Sequence, residues 1–381
     1  YEIDDFGRIE KVILPDESKI EYRFDGKRIK SIKRNQYIHT YEIYNLGGTP
    51  TTIKLANGKG LSSYLDSKGR YLSISSPYFT ENDFVYDRRG NLKQHNLNGE
   101  LKTYEYSDLN QLISDGSDKY SYDSLHNRLF KNQEFYSHNS LNHLLAKNDT
   151  VYTYDLNGNR IEKRTPCSTT TYKYDALDRL IEVNADGKTT TYSYDAFNRR
   201  MMKNDTSYLY QGQNEIGSMR NNSFLDLRVL GVGLGAEIGS AVLCEIEGVP
   251  YVPIHDHNGN VRQLLTMQGE LAAAYSYTAF GETIASTVHP NLWRFSSKRF
   301  DEETGFINFG RRYYDPEIGR FLTPDPIGFE EGPNLYAYLH NAPLLSFDLY
   351  GLLDEDRSWW DKTCDRIYSA WDSLCSAARG A

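Results

Sequence analysis

Long apolar runs are missing from this 381-residue chain: no stretch of 18 apolar residues occurs, which excludes a helical membrane span. An excess of positive charge is missing too. Lys and Arg total 43 against 52 Asp and Glu, a formal charge of −9, and that balance excludes a basic nucleic-acid-binding protein. Cysteine is scarce: Cys167, Cys244, Cys364 and Cys375 are the 4 in the chain. No two of them have the two-residue gap of a zinc or redox site, and so few do not make a disulfide framework, so free thiols are expected. No basic start followed by an apolar stretch marks a signal peptide. Position 1 is Tyr rather than Met, and the chain is expected to be a piece of something longer.

Tyrosine is abundant. There are 31 Tyr and 29 Gly among many Asn, Asp and Thr, a composition of strands and turns. The length corresponds to two or three domains.

Tyr-Asp recurs at Tyr86-Asp87, Tyr122-Asp123, Tyr154-Asp155, Tyr174-Asp175 and Tyr194-Asp195, the last three 20 residues apart. Degenerate copies are Ile3-Asp4, Phe24-Asp25, Tyr44-Asn45, Leu65-Asp66 and Tyr106-Ser107, and the spacing slips between residues 107 and 155. That slip predicts an irregular stretch or shortened repeats. Tyr152 and Tyr154, Tyr172 and Tyr174, and Tyr192 and Tyr194 alternate, which places both rings of each pair on one strand face. Three residues after the Asp stand Gly7, Gly69, Gly90, Gly158, Asp178 or Asn198, types that tolerate positive φ in a tight turn. The Asp side chain is expected to accept backbone N–H groups across that turn. Each unit is therefore read as one hairpin. Single hairpins are marginal in water, and stacking them edge to edge into a continuous sheet solves this. Tyr and Asp are read as aromatic ladders and turn caps rather than as a sugar-binding surface.

The repeat fades over 225–300. LGVGLGAEIG (230–239) has neither the Gly-Lys-Ser/Thr ending of a phosphate loop nor Gly-x-Gly-x-x-Gly spacing, and is read as a close-packed strand or turn. His255 and His257 share a strand face, but no third ligand is visible nearby. A strand-to-turn position before Asn258-Gly259 is expected there, with no metal and no cofactor.

Residues 293–352 carry the motifs DEETGFINFGRRYYDPEIGRF (301–321), DPIGF (325–329), PNLYAYLHNAP (333–343) and FDLYGL (347–352). HDHNGNVRQL (255–264) and YTAFGE (277–282) precede them. In this order they closely resemble the Rhs-associated core that ends YD-repeat proteins, among them Rhs polymorphic toxins and the C components of Tc toxin complexes. With the repeats, the resemblance covers nearly all of residues 1–352.

The resemblance implies an all-β fold in which YD repeats wind into a hollow shell and the core turns inward as a plug. Residues 1–220 would be the shell, 221–352 the core with an autoprotease-like plug, and 353–381 the start of a cargo or a helical anchor. It also implies that a C-terminal cargo, usually a toxin domain, is kept inside and is cut from the core by aspartates just after a DPxGL motif. Asp325 in DPIGF and Asp348 in the final DLYGL match the aspartates, and Arg312 matches the family's essential arginine. The bond cut would be Leu352–Leu353. One departure is Leu349, where the family usually has a turn-rigidifying Pro.

Two carboxylates sharing a site split their pKa values, so that one takes a proton from water while the other donates to the scissile carbonyl. Arg312 would hold one of them with a forked hydrogen bond. Asp315-Pro316 and Asp325-Pro326 are also ordinary turn dipeptides, and Arg312 would then simply neutralise Asp315. Asn334, Tyr336 and Tyr338 are expected to plug the shell rather than react.

Trp360, Cys364, Ile367, Tyr368, Trp371, Leu374, Cys375 and Ala378 recur at helical steps, with Asp354, Glu355 and Asp356 near the helix start. A toxin enzyme does not fit in that tail. The resulting expectation is a secreted or cell-surface protein that encapsulates and releases its own cargo. Its partners would be a secretion apparatus or Tc-type subunits, not nucleic acid. The alternative is a cell-surface adhesion or carbohydrate-binding protein without proteolysis.

Overall fold

The computed structural model describes residues 1–352 and the backbone of 354–356. Antiparallel strands follow one another in chain order. Eleven from Glu2–Ile3 to Glu100–Thr103 form one sheet, Glu105–Tyr106 and Leu112–Ser114 pair alone, and eighteen from Tyr120–Tyr122 to Thr283–Ser286 form a second sheet. That second sheet runs without interruption through residue 220. The described residues contain no α-helix, only the short 3₁₀ turns Phe295–Ser297, Gly328–Glu331 and Leu339–Asn341. No helix among them is long and apolar enough to cross a membrane.

Two kinds of turn build this wall. In the first, Asp175 Oδ1 accepts the N–H of Leu177 at 2.9 Å and of Arg179 at 3.1 Å, while the Asp175 N–H bonds the Arg179 carbonyl at 3.0 Å. Asp195 repeats the pattern with Phe197 and Arg199, both at 2.9 Å. The residue three after the Asp takes positive φ, 59° at Asp178 and 88° at Gly158. In the second, two residues both have positive φ, as at Asp186 (50°) and Gly187 (77°), the geometry that matches strand twist.

The same backbone turn recurs at Ser107, Asp123, Asn139 and Asp155 at 16-residue steps, so the slip in spacing is a set of shortened hairpins. It recurs again at Asp256, Thr266 and Thr278, where the sequence repeat has faded. Asp25 differs from its expected role. It stands opposite Arg28 across a two-residue turn, and the long turn before it is built on Leu14. A backbone turn of this shape does not require the Asx side chain.

The alternating tyrosines face inward. Tyr152, Tyr172 and Tyr192 are buried. Tyr174 and Tyr194 donate their hydroxyls to the carbonyls of Arg160 (2.9 Å) and Leu180 (2.7 Å), which satisfies the polar end of a buried ring. Tyr210 and Tyr277 do the same to Arg200 and Val261, both at 2.9 Å. Rings spent in this way are not available to stack on sugars.

Inside the wall lies a four-stranded sheet, Arg299–Asp301, Phe306–Asn308, Tyr313–Asp315 and Arg320–Phe321. Phe309, Tyr314, Phe321 and Tyr338 form its aromatic centre. Buried ion pairs tie it to the wall: Arg160–Asp315 at 3.0 Å, Arg200–Asp301 at 2.6 Å and Arg299–Asp226 at 2.6 Å. Tyr336 donates to the Gly158 carbonyl at 2.8 Å, and Asn334 to Asn127 Oδ1 at 2.9 Å, so these two residues, with Tyr338, lie buried in the plug as expected. Cys167 and Cys244 are free thiols; Cys364 and Cys375 lie outside the described residues. One expectation fails for the tail: the Asp354–Asp356 backbone is not a helix start but a strand paired with Ser346–Asp348. Pairing with an already placed strand satisfies backbone groups that the start of a helix leaves open. The remainder of the expected helix lies outside the described residues.

Asp301 is fully buried against Arg200 and is the closest carboxylate to it, with Glu215 further off at 3.7 Å, so Asp301→Ala breaks a buried ion pair and should destabilise the chain by about 3 kcal/mol in denaturant titrations. Acid should act through the turns. Partial burial raises the carboxyl pKa of Asp66, Asp87, Asp175 and Asp195, but hydrogen bonds from Arg70, Asn91, Arg179 and Arg199 and from the turn N–H groups outweigh it and hold all four below the ordinary value. A carboxyl with a depressed folded-state pKa stabilises above its unfolded value, about 3.9 for Asp, and loses that contribution as pH falls through the folded value. The thermal midpoint should therefore drop on acidification below about pH 4, and Asp175→Asn should flatten that dependence.

Candidate functional site

Arg312 follows a tight turn, in which Phe309 N–H bonds the Arg312 carbonyl at 3.0 Å and Gly310 takes a φ of 100°. Its guanidinium is buried and lies flat on the Phe321 ring, with Cζ 3.8 Å from the centroid. From there it reaches four groups. Nη2 meets Asp325 Oδ2 at 2.6 Å and lies 3.9 Å from Asp348 Oδ2. Nε donates to the Gly351 carbonyl at 2.6 Å and Nη1 to the Leu335 carbonyl at 3.0 Å. The structure therefore brings together all three side chains singled out in the sequence, from positions 312, 325 and 348. Arg312 does not neutralise Asp315, because Arg160 from the wall already holds that carboxylate.

Asp325 and Asp348 are both buried and both cap turns. Asp325 Oδ1 accepts the N–H of Ile327 at 3.1 Å ahead of the 3₁₀ turn Gly328–Glu331. Asp348 Oδ1 gathers three consecutive N–H groups, from Tyr350 at 3.2 Å, Gly351 at 2.6 Å and Leu352 at 3.0 Å. The other edge of that segment is held as closely. The Leu349 carbonyl accepts from Lys298 Nζ, the Tyr350 carbonyl from the Arg311 N–H at 2.9 Å, and the Gly351 carbonyl from Arg312. The chain leading to Leu352 is thus fixed by its own N–H groups on one edge and its carbonyls on the other. Leu353 lies outside the described residues.

Several of these partners were not legible in the sequence. Lys298 is fully buried, paired with Glu237 at 2.9 Å, and comes from a stretch with no motif of its own. Gly235, in the glycine-rich 230–239 segment, makes room for Leu349: a Cβ there would lie 2.8 Å from Leu349 Cδ2. That packing gives the Leu349 side chain its place. The N–H groups gathered by Asp348 begin only at Tyr350. Tyr350 itself is anchored through its hydroxyl on Asn214 at 3.0 Å.

His255 and His257 do not act together. Asp256 between them caps a hairpin turn, accepting from Asn258 and Asn260 at 2.9 Å, which is the expected strand-to-turn position. Burial lowers the His255 pKa to about 4, whereas His257 lies beside Glu81 and His95.

Gly351 has a φ of 73°, and a Cβ there would lie 3.2 Å from the Arg312 N, whereas Gly305, at a φ of 75°, has open space. Gly305→Ala should cost only the left-handed backbone penalty, about 1–2 kcal/mol. Gly351→Ala should cost visibly more in the same denaturation series, the difference measuring how tightly residues 350–352 sit on Arg312.

A Teneurin YD-shell family model matches residues 6–344. Among curated proteins the chain is similar to Salivary gland surface protein 1 of Aedes aegypti, 38% identical over 102 residues, 26% of this chain and 3% of that protein. It is 48% identical over 60 residues to the toxin protein Tse5 of Pseudomonas aeruginosa, 16% of this chain and 5% of that one. It is 31% identical over 126 residues to the tRNA nuclease WapA of Bacillus subtilis, 31% of this chain and 5% of that one. The chain thus spans only a small part of these relatives. Two crystal structures have the same fold. TcdB2-TccC3-Cdc42 superposes with a TM-score of 0.67 at 14% identity over 94% of this chain and 21% of that one. TcdB2-TccC3 without its hypervariable C-terminal region gives 0.68 at 15% identity over 92% of this chain and 21% of that one.

Proposed function

The chain belongs to the Teneurin YD-shell family, and from that premise we propose that it is the closing end of a toxin-type shell that encloses a C-terminal cargo and frees it by cutting its own Leu352–Leu353 bond. The observation that carries this reading is the clamp on residues 349–352. Asp348 and Arg312 grip the bend immediately before the bond, and Asp325 sits on the same guanidinium. An ordinary turn does not need two buried carboxylates around one buried arginine.

The chemistry follows from that arrangement. In this mechanism one of the two carboxyls is charged and the other protonated when the bond is cut. The charged member takes a proton from water, whose oxygen attacks the Leu352 carbonyl carbon. The protonated member donates to the carbonyl oxygen. Collapse of the tetrahedral intermediate breaks the C–N bond, and the nitrogen of Leu353 leaves with a proton as the new amino terminus. Arg312 holds the segment in place throughout, so that the reacting carbonyl does not drift. The reaction occurs once per chain.

Tse5 and WapA are named as a toxin and a nuclease, and TccC3 is crystallised with TcdB2. These support a toxin-associated shell, delivered outside the producing cell, whose remaining wall is supplied by a longer chain or by a Tc-type partner subunit. The inward tyrosines give no support to a carbohydrate-binding surface.

The test is the intact mass of the purified chain under denaturing conditions. The expected result is two species divided after Leu352 in the wild type, and one unsplit species in Asp325→Asn and Asp348→Asn. Splitting of Asp325→Asn at the same bond would overturn the mechanism, and a wild-type chain that stays whole on prolonged incubation would overturn self-cleavage.

A further inference from the structure

We propose that Glu81, His95 and His257 form a binding site for one divalent cation of the zinc class, which staples the early wall to the core. Glu81 lies on Phe79–Tyr86 and His95 on the paired strand Leu92–Leu97, while His257 comes from the turn after Val249–His255. All three are buried, at 0%, 2% and 3% exposure. Their donor atoms lie within 4.8 Å of one another. Both rings aim the same atom at one oxygen: Nδ1 of His95 is 2.9 Å and Nδ1 of His257 is 2.5 Å from Glu81 Oε1.

Three further observations favour a metal over a plain hydrogen-bonded cluster. First, Nδ1 of His95 is buried and lies off any hydrogen-bond direction, despite its closeness to the carboxylate. Second, the outer contacts are those of held ligands. His95 Nε2 meets the Tyr104 hydroxyl at 3.1 Å, and Glu81 Oε2 accepts the backbone N–H of His257 at 2.9 Å. Metal-binding histidines characteristically use the second ring nitrogen in this way. Third, His257 also lines a cavity of about 270 Å³, so one of the three ligands borders open space by which an ion could enter.

Two imidazoles and one carboxylate suit zinc-class ions rather than calcium or magnesium. The nearby Arg262 is occupied by Asp256 at 2.6 Å. Tetrahedral ligands at about 2.1 Å from an ion stand roughly 3.4 Å apart, so each imidazole nitrogen needs to draw back from Glu81 Oε1 by less than about 1 Å.

This site is independent of the self-cleavage reading, and its test reads metal rather than peptide mass. The full chain is expressed with zinc, dialysed against a weak chelator and analysed by elemental mass spectrometry. One zinc per chain is expected, lost in Glu81→Gln and His95→Gln, with far-UV circular dichroism confirming that both remain folded. Should those variants not fold, Tyr104→Phe removes only a hydroxyl and should weaken zinc retention by about 10–100-fold. A wild-type chain without stoichiometric zinc, or variants that retain it at the wild-type level, would show a Glu–His latch instead and overturn the proposal.

Discussion

Charge compensation across the interior is the constraint on which the rest of this structure depends. A wall of hairpins can bury only one face, and here that face carries arginines as well as tyrosines. Arg160 and Arg200 point inward from equivalent places two repeats apart and are almost completely buried. Each needs an anion, and the closest one is not on the wall; Glu215, which is, stands 3.7 Å from Arg200. Asp315 and Asp301 come from the inner sheet, more than a hundred residues further along the chain in both cases. The aromatic rings beside them, such as Tyr208 at 4.4 Å from the Arg200 Cζ, complete each cage. Removing one member of such a pair is costly because the other stays buried. The inner sheet and the wall therefore specify each other.

The site around Arg312 is the same device turned to another use. Arg312 meets a carboxylate, as Arg160 and Arg200 do, but spends its remaining donors on the carbonyls of Leu335 and Gly351. It thereby orders a segment at the end of the core instead of pinning the core to the wall. Lys298 does the same one step earlier, divided between Glu237 and the Leu349 carbonyl. The buried cations of residues 298–312 thus divide two tasks: Arg299 joins sheet to sheet, while Lys298 and Arg312 hold the chain on its way to Leu352. Rigidity at that segment is inherited from the packing of the whole interior.

The buried Glu81, His95 and His257 show the same economy in a different chemistry. In the early repeats Arg34 is buried in the same way against Glu245 at 2.9 Å, and at Glu81 a carboxylate from the wall meets an imidazole from the core 176 residues away. Both arrangements solve one problem: a spiral wall has to be joined to what lies inside it, and apolar contacts alone do not set the register between the two. Directional, charge-assisted contacts do.

Local chemistry made much of this legible from the amino acids alone. Tyr-x-Tyr at period 2, with Asp and a positive-φ residue beyond it, encodes a strand and a turn within about ten residues, and the turns at Asp175 and Asp195 form as that pattern implies. The shortened hairpins at Asp123 and Asn139 were visible only as a slip, because their turn residues vary while the backbone geometry does not. Arg312, Asp325 and Asp348 stood out through their motifs, but that Arg312 turns to Asp325 and not to the nearer Asp315 was decided by Arg160, which reaches Asp315 first from the far side of the interior. Lys298, Glu81 and His95 carried no local signal, and His257 and Gly235 stood out locally without their partners, since each matters through a residue dozens to hundreds of positions away. The sequence by itself determined the hairpins, their turns and the inward face. Closure of the spiral decided which charges meet, because strand and turn propensities act over a few residues, whereas the pairing of buried charges depends on where the whole wall brings them.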